Sequence, residues 1–448
     1  MTARPIVIDA LMGSGKTSWM TQYMLDMPRP RLHANPPYKW LYITPLLSEV
    51  DRIKEACRDL RIEDPVRELA EQANGPKYPH LLELIRHGRN IVSTHALFSY
   101  LDEGAIALLR DLGYTLIIDE TLGMVDEYEK LTAGNRKLLE DNGIIDYAPD
   151  GTILWNDEAA KGYITGRKQD RFRDIRALCL NGSLVRVADT FIVWRFPAHF
   201  LDAFQNVFIL TYLFEGSMMA GYFQAHGINY ELGSVRRQLD GRYDIIDYGH
   251  VNTAAAKVEV GELIDLYEGP LNRCGDPYHK ANPLSSSWFK RETEGGEPSP
   301  KVEAIQRAAS NFFRNVCRTP VRLNMWTSQK SVSKYLGGHG YQGGFVSLSE
   351  RATNEHSHKA SCAYLSNRFV HSSMRRYFGE HGITPSDELF ALTELLQWTW
   401  RSRIRNRQPI KLFLPSKRMR ELFKEWLRSN DLELMQKYGN SGYNIAAE

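Results

Sequence analysis

Two clusters in the first third of this chain have the residue types and spacing to handle a phosphate chain. The first is Ala10-Leu11-Met12-Gly13-Ser14-Gly15-Lys16-Thr17, placed between the apolar run Pro5-Ile6-Val7-Ile8 and a helical pattern starting near Ser18. A phosphate chain needs backbone N–H groups converging on it; Gly13 and Gly15 let the backbone approach without Cβ clashes, and the helix start at Ser18 adds partial positive charge. Lys16 is expected to reach the β and γ phosphates of ATP, and the Thr17 hydroxyl to ligate Mg²⁺. The alternative is a Gly-Ser turn that happens to carry a lysine, and the strand before and helix after argue against it. The second cluster is Leu116-Ile117-Ile118-Asp119-Glu120. A buried strand ending in two acids sacrifices apolar burial unless the acids have work to do, because unpaired buried carboxylates are expensive. Asp119 is expected to hold the Mg²⁺ shell and Glu120 to polarise an attacking water.

A third cluster lies far from these. Residues from Asp387 to about Arg405 read as one helix, with Leu389, Leu392 and Leu396 on one stripe. On such a helix Gln397, Arg401 and Arg405 are spaced i, i+4, i+8 and share a second face, while Arg403 points elsewhere. A basic solvated helix end is the plainer reading. Beside a complete phosphate site, a set that reaches the γ-phosphate is the better one.

The elements that must position these residues follow from the patterning. Strand-like runs at Trp40–Ile43, Asn90–Ser93 and Thr115–Ile118 alternate with helical stretches such as Leu46 to Leu60. That alternation implies a parallel sheet with crossover helices. From about 122 to 205 the rhythm breaks: Tyr147-Ala148-Pro149-Asp150-Gly151-Thr152 is a hairpin turn signal, and a basic stretch follows at 166–173. This stretch reads as an insertion in the first domain. Val207–Thr211 resumes the buried-strand pattern, and a second alternating block runs from about 235, with strands expected at Arg322–Trp326, Gly344–Ser347 and Ile410–Leu414. The expected fold is therefore α/β, with domains at 1–235 (insertion 122–205) and 236–448.

With these residues in place, the chain resembles superfamily 2 helicases of the DEAD-like group, most closely the bacteriophage-encoded members. Asp119-Glu120-Thr121-Leu122 is similar to the family's D-E-x-x box, and Gln397-Trp398-Thr399-Trp400-Arg401 through Arg405 resembles its Q-x-x-G-R-x-x-R motif, with Trp400 where the pattern has Gly and Ile404 where it has the last Arg. Ile43-Thr44-Pro45, Ser93-Thr94-His95 and Arg351-Ala352-Thr353 resemble segments that touch the nucleic-acid backbone. Leu210-Thr211-Tyr212 stands where the family couples hydrolysis to domain movement, without the usual S-A-T. The resemblance spans most of the chain and thins across 122–205 and 255–320. It implies two tandem RecA-like P-loop NTPase domains that close on ATP and Mg²⁺. It implies contacts from Thr44, Pro45, Thr94, His95 and Thr353 to single-stranded or forked DNA, with RNA left open and replication proteins as candidate partners.

Composition is compatible with this but does not demand it. The 448 residues carry a net charge of +2, with 43% hydrophobic and 25% charged residues, the balance of a chain with a full core. Cys57, Cys179, Cys274, Cys317 and Cys362 are scattered, which fits a reducing compartment and speaks against a cysteine-rich zinc site. No stretch approaches a membrane span and no signal region opens the chain, so a cytoplasmic protein is expected, in the host cytoplasm if phage-encoded. Three competing readings fit less well. A DNA-packaging ATPase needs clustered acids for a C-terminal nuclease, yet after residue 330 the only aspartates are Asp387 and Asp431. A nucleoside kinase would be shorter, and a nucleic-acid clamp with a vestigial ATP site would not keep Lys16, Thr17, Asp119 and Glu120. Weaker signals have bland readings: Glu355, His356 and His358 as a solvated loop rather than a metal site, and Trp398 and Trp400 as packing rather than base stacking.

Overall fold

Most of the runs with buried-strand character enter two sheets in the computed structural model, which describes residues 4–27, 38–66, 77–163, 172–278, 281–348 and 355–439. The chain first lays down β1 (Ile6–Asp9), β2 (Lys39–Thr44), β3 (Ile91–Thr94) and β4 (Tyr114–Asp119). The insertion follows, with β5 (Val125–Glu127), β6 (Ile145–Tyr147), β7 (Ile153–Trp155), β8 (Leu184–Val187) and β9 (Phe191–Arg195). Then β10 (Asn206–Thr211), β11 (Glu231–Arg237) and β12 (Tyr243–Asp247) complete a first sheet ordered β12-β11-β1-β10-β4-β2-β3. Every neighbouring pair in it is parallel except β11 with β12.

Alternate side chains leave a strand on opposite faces. Val7, Leu41, Ile43, Leu116, Ile118 and Ile209 enter one core, and Ile8, Trp40, Tyr42, Ile117, Phe208 and Leu210 the other. A sheet covered on both faces needs apolar residues at both parities, so these strands read as unbroken apolar runs. Because the strands run parallel, with Ile8 opposite Leu210 and Leu210 opposite Asp119, the loops after β1, β10 and β4 emerge along one edge. The ends of β2 and β3 join them, with Thr44 opposite Thr94. Ligands of open α/β sheets gather at this carboxyl edge.

The insertion builds its own small core from residues such as Leu139, Ile144, Ile153, Ile175 and Leu184. It carries the antiparallel sheet β5-β9-β8 and the β6–β7 hairpin, whose turn falls on the 147–152 signal. Most of the basic stretch at 166–173 lies outside the described residues. The second sheet comprises β13 (Ile264–Leu266), β14 (Asn324–Thr327), β15 (Ser361–Tyr364) and β16 (Ile410–Phe413), all parallel, in the order β13-β16-β15-β14. The fold is thus α/β with two sheets, the first parallel except at its β12 edge and the second parallel throughout.

Three expectations need correction. The first sheet continues to Asp247, because β12 pairs with β11 as an antiparallel edge, so a boundary at 235 would cut β11. The helix Ser372–Glu380 belongs to the second half in sequence but packs Met374, Tyr377 and Phe378 into a core of the first sheet. The run Gly344–Ser347 forms no strand. Gly344 closes a tight turn so near Asn324 that a Cβ there would collide with its carbonyl, leaving Phe345 a single bridge to Trp326.

Candidate nucleotide site between the two sheets

The loop after β1 has the backbone that its glycines were expected to allow. Gly13 and Gly15 take φ values of 81° and 100°, a region L side chains rarely adopt, and the helix Lys16–Asp26 starts directly after Gly15. A Cβ on Gly15 would also run into the ring of Tyr243 from β12. Lys16 Nζ donates to the carbonyls of Ala10 at 2.5 Å and Leu11 at 3.2 Å, curling back over its own loop. Burial lowers the Lys16 pKa, and the carboxylates of Asp9, Asp119 and Glu120 pull it back up. The Ser14 hydroxyl is buried with no hydrogen-bond partner among the described residues, an orphaned donor of the kind a bound phosphate oxygen satisfies.

Asp119 closes β4 and is 9% exposed. One of its carboxylate oxygens accepts from Tyr42 Oη at 2.8 Å and from Thr17 Oγ1 at 3.4 Å. Burial raises the Asp119 pKa, opposed first by the Tyr42 hydroxyl and then by Arg52. Two oxygens, from Thr17 and Asp119, thus meet near the half-buried Lys16, a donor set suited to hard, oxygen-seeking Mg²⁺. Glu120 follows at φ 64°, unusual for a residue with a side chain, its N–H donating to Leu210 O at 2.8 Å.

The second sheet supplies the opposite wall. A cavity of about 340 Å³ is lined on one side by Gly13, Gly15, Lys16, Thr17 and Ser18 with Asp119 and Glu120, and on the other by Gln397, Trp400, Arg401 and Arg405. The three polar residues meet here by a route other than the expected helix phase. The helix Asp387–Thr399 stops at Thr399; the Ser402 hydroxyl donates to Thr399 O at 2.7 Å, and Arg403–Asn406 forms a separate 3₁₀ turn. The two tryptophans hold this break in place. Trp398 donates to Val346 O at 3.2 Å, and Trp400 packs edge-on against Trp426 at 5.8 Å. Arg401 is 5% exposed and donates to Ser347 O at 2.8 Å. Arg405 feels the carboxylates of Glu49 and Glu120 and the cation of Arg52 across the cleft. Arg403 turns away, its Nε on Pro409 O at 2.5 Å.

Of the residues expected to touch nucleic acid, Thr44 and Pro45 line this cavity instead of an open surface, and Thr44 Oγ1 is buried without a partner among the described residues. Thr94 caps the short helix His95–Phe98, and His95 Nε2 lies 3.0 Å from Asp119 O. Thr353 lies outside the described residues.

Several residues around the site escaped the sequence reading, and Tyr212 was marked only as part of the segment after Leu210. Asp9 accepts from the amides of Leu213 at 2.9 Å and Phe214 at 2.8 Å; burial carries its pKa from 3.8 to about 7. The pair of acids that marked the end of β4 has no counterpart here: Asp9 closes β1 alone and is followed by Ala10. Tyr212 sends its hydroxyl to Asp431 at 2.7 Å and receives Trp426 Nε1 at 2.7 Å, while Asp431 pairs with the fully buried Lys257 at 2.5 Å. Glu49, Arg52 and Tyr243 also line the cleft. Nothing local marks Lys257, Trp426 or Tyr243, whose partners are distant in sequence, whereas Glu49 and Arg52 pair with each other one turn apart on the helix Leu47–Ala56.

Known proteins resemble this arrangement to different depths. Residues 125–194 match the YonV middle domain, and residues 258–427 match the YonV C-terminal Rossmann-like domain. The SPbeta prophage-derived uncharacterized protein YonV of Bacillus subtilis (strain 168) is 34% identical over 423 residues, covering 94% of this chain and 98% of that protein. The chain belongs to the YonV family. Within the family's frame, the middle domain is the inserted β5–β9 region and the Rossmann-like domain holds the second sheet. S. tokodaii Xpd4 also superposes, with a TM-score of 0.45 and 13% identity over 95% of this chain and 94% of the other, a distance at which nothing functional transfers. Among the described residues, no helix is long and apolar enough to cross a membrane.

Proposed function

We propose that this protein hydrolyses ATP with Mg²⁺ to move along single-stranded or forked DNA, as a phage-type helicase. One observation carries the reading: Lys16, Thr17, Asp119 and Glu120 of the first sheet face Gln397, Arg401 and Arg405 of the second across one cavity. A site divided between two domains is assembled only when they close, which is how nucleotide turnover becomes movement. The prophage setting of the YonV relative supports the phage part of the reading.

In this proposal the bound ATP·Mg²⁺ supplies the scissile phosphoanhydride, and the chain supplies position and charge. The glycine loop and the orphaned Ser14 hydroxyl hold phosphate oxygens, while Lys16 leaves its loop carbonyls for the β and γ phosphates. Thr17 and Asp119 would hold the metal, which would neutralise phosphate charge, and Glu120 polarises the attacking water. Arg401 and Arg405 neutralise charge on the transferring phosphoryl group, and Gln397 helps to position it. Thr94 and the segment around Thr353 meet the backbone of the single strand.

The test is ATP turnover measured in parallel with single-stranded DNA, forked DNA, duplex DNA and RNA. We expect low basal turnover, strong stimulation by single-stranded or forked DNA, and a Glu120→Gln protein that binds ATP but does not turn it over. Equal turnover with and without every nucleic acid would refute the motor, and normal turnover by Glu120→Gln would refute its assigned role.

A further inference from the structure

A second cavity, of about 400 Å³, lies on the other side of the Asp119–Met124 segment. His95 and Tyr100 wall it from the first domain, Leu122 and Met124 from the stretch just after the acid pair, and Tyr128 and Trp194 from the insertion. Its floor is the stacked pair Phe98 and Phe196, with centroids 5.4 Å apart and planes at 15°. Tyr100 is 71% exposed, while Tyr128 and Trp194 are half-buried. Two charges of opposite sign, Lys130 and Asp174, are exposed at the rim.

We infer that this cavity takes one unstacked nucleobase of the single strand and reports its presence to the acid pair. Aromatic side chains contributed by both the first domain and the insertion suit a planar ring of any base identity, which is the usual way sequence-tolerant single-strand binders hold bases. Asp174 can accept from a base amino group, and Lys130 can meet the adjoining phosphate. Burial, with Asp174 nearby, raises the Tyr128 hydroxyl to about 12, so it stays a neutral donor. A paired and stacked base in a duplex presents no free face to such a cavity, so the site selects single strands. Occupancy can be communicated because one short segment serves both cavities, Asp119 and Glu120 lining the first and Leu122 to Met124 the second. His95 lines the second cavity while its Nε2 lies 3.0 Å from the backbone oxygen of Asp119, and Leu122 stands two residues after the left-handed Glu120.

This inference deepens the proposed single-strand reading, and its test separates the two. A single-stranded oligonucleotide carrying one 2-aminopurine is titrated with the full chain in the presence of a non-hydrolysable ATP analogue, and ATP turnover is followed with the same strand. Stacking in the cavity should quench 2-aminopurine fluorescence. In Tyr100→Ala and Trp194→Ala the quench should be lost and the DNA concentration for half-stimulation should rise about tenfold, the scale of one lost stacking contact. Turnover without DNA should be unchanged, and Tyr100→Phe should retain the quench. Tyr100 is exposed, so its variants keep the test valid even if Trp194→Ala misfolds. Undiminished quench and stimulation in Tyr100→Ala would overturn the base site. A Tyr100-dependent quench with no DNA-stimulated turnover in the parent would uphold the base site and reject the motor.

Discussion

The two walls of the cleft between the sheets present cations by opposite means. On the first wall, Lys16 is placed by its immediate neighbours: two glycines in left-handed conformation, a strand before and a helix after. On the second, Arg401 and Arg405 are placed by residues far away, since the helix break that aims them depends on Trp398 reaching Val346 and Trp400 reaching Trp426. A loop stiffened from within carries its geometry wherever it occurs. A helix end aimed from outside has its geometry only in the folded protein. The first wall should therefore be sensitive mainly to the cation itself, and the second to both the cation and its tryptophan supports.

The largest expected effect tests that contrast directly. Lys16→Ala should weaken ATP binding and abolish turnover. Arg401→Ala and Arg405→Ala should each lower kcat by roughly 10³-fold, the scale of an arginine finger, with a smaller change in ATP affinity. Lysine should not rescue either arginine, because a point charge cannot reproduce the guanidinium fork. Arg403→Ala should keep most of its turnover, since its side chain is tied to Pro409 on the far side of the turn. Steady-state ATPase assays at saturating single-stranded DNA decide this, and a severe defect confined to Arg403→Ala would show the turn to be wound differently.

A smaller effect is expected at the joint between the walls. Tyr212, at the end of β10, bonds Asp431 and Trp426 of the second half. Tyr212→Phe leaves the ring in place but removes one partner from a buried carboxylate. It should cost about 1–3 kcal/mol of stability and loosen the dependence of turnover on DNA. Chemical denaturation checks the first, and unchanged stability would mean that Lys257 alone satisfies Asp431.

A further effect concerns pH. Asp9 has a folded-state pKa near 7 against an ordinary value of 3.8, so the folded protein holds this proton more tightly than the unfolded chain. Stability from this group is present at low pH and is lost as pH rises through the interval between those values. Asp9→Asn should make the fall in stability across that interval shallower by about one proton's worth. Glu215, also raised to about 7 by burial, leaves a residual slope in the variant. Denaturation midpoints taken at acid and neutral pH measure the difference, and parallel curves for parent and variant would count against Asp9 as the source.

The sequence alone determined what depends on neighbours along the chain. It marked the glycine loop with Lys16 and Thr17, the acids closing β4, the parallel strand rhythm of the first sheet and the hairpin turn inside the insertion, because a phosphate loop and a two-sided buried strand are both written in consecutive residues. It also marked Gln397, Arg401 and Arg405 by type, though not the turn that carries them. Tertiary structure decided the rest. It turned Thr44 into the cleft by aligning parallel strand ends, ended the Asp387–Thr399 helix short of Arg401, and docked the helix Ser372–Glu380 onto the first sheet. It also brought Tyr243 against Gly15 and Tyr212 against Asp431. Each of these depends on contacts between residues many positions apart, formed by packing and hydrogen bonding that no local periodicity encodes.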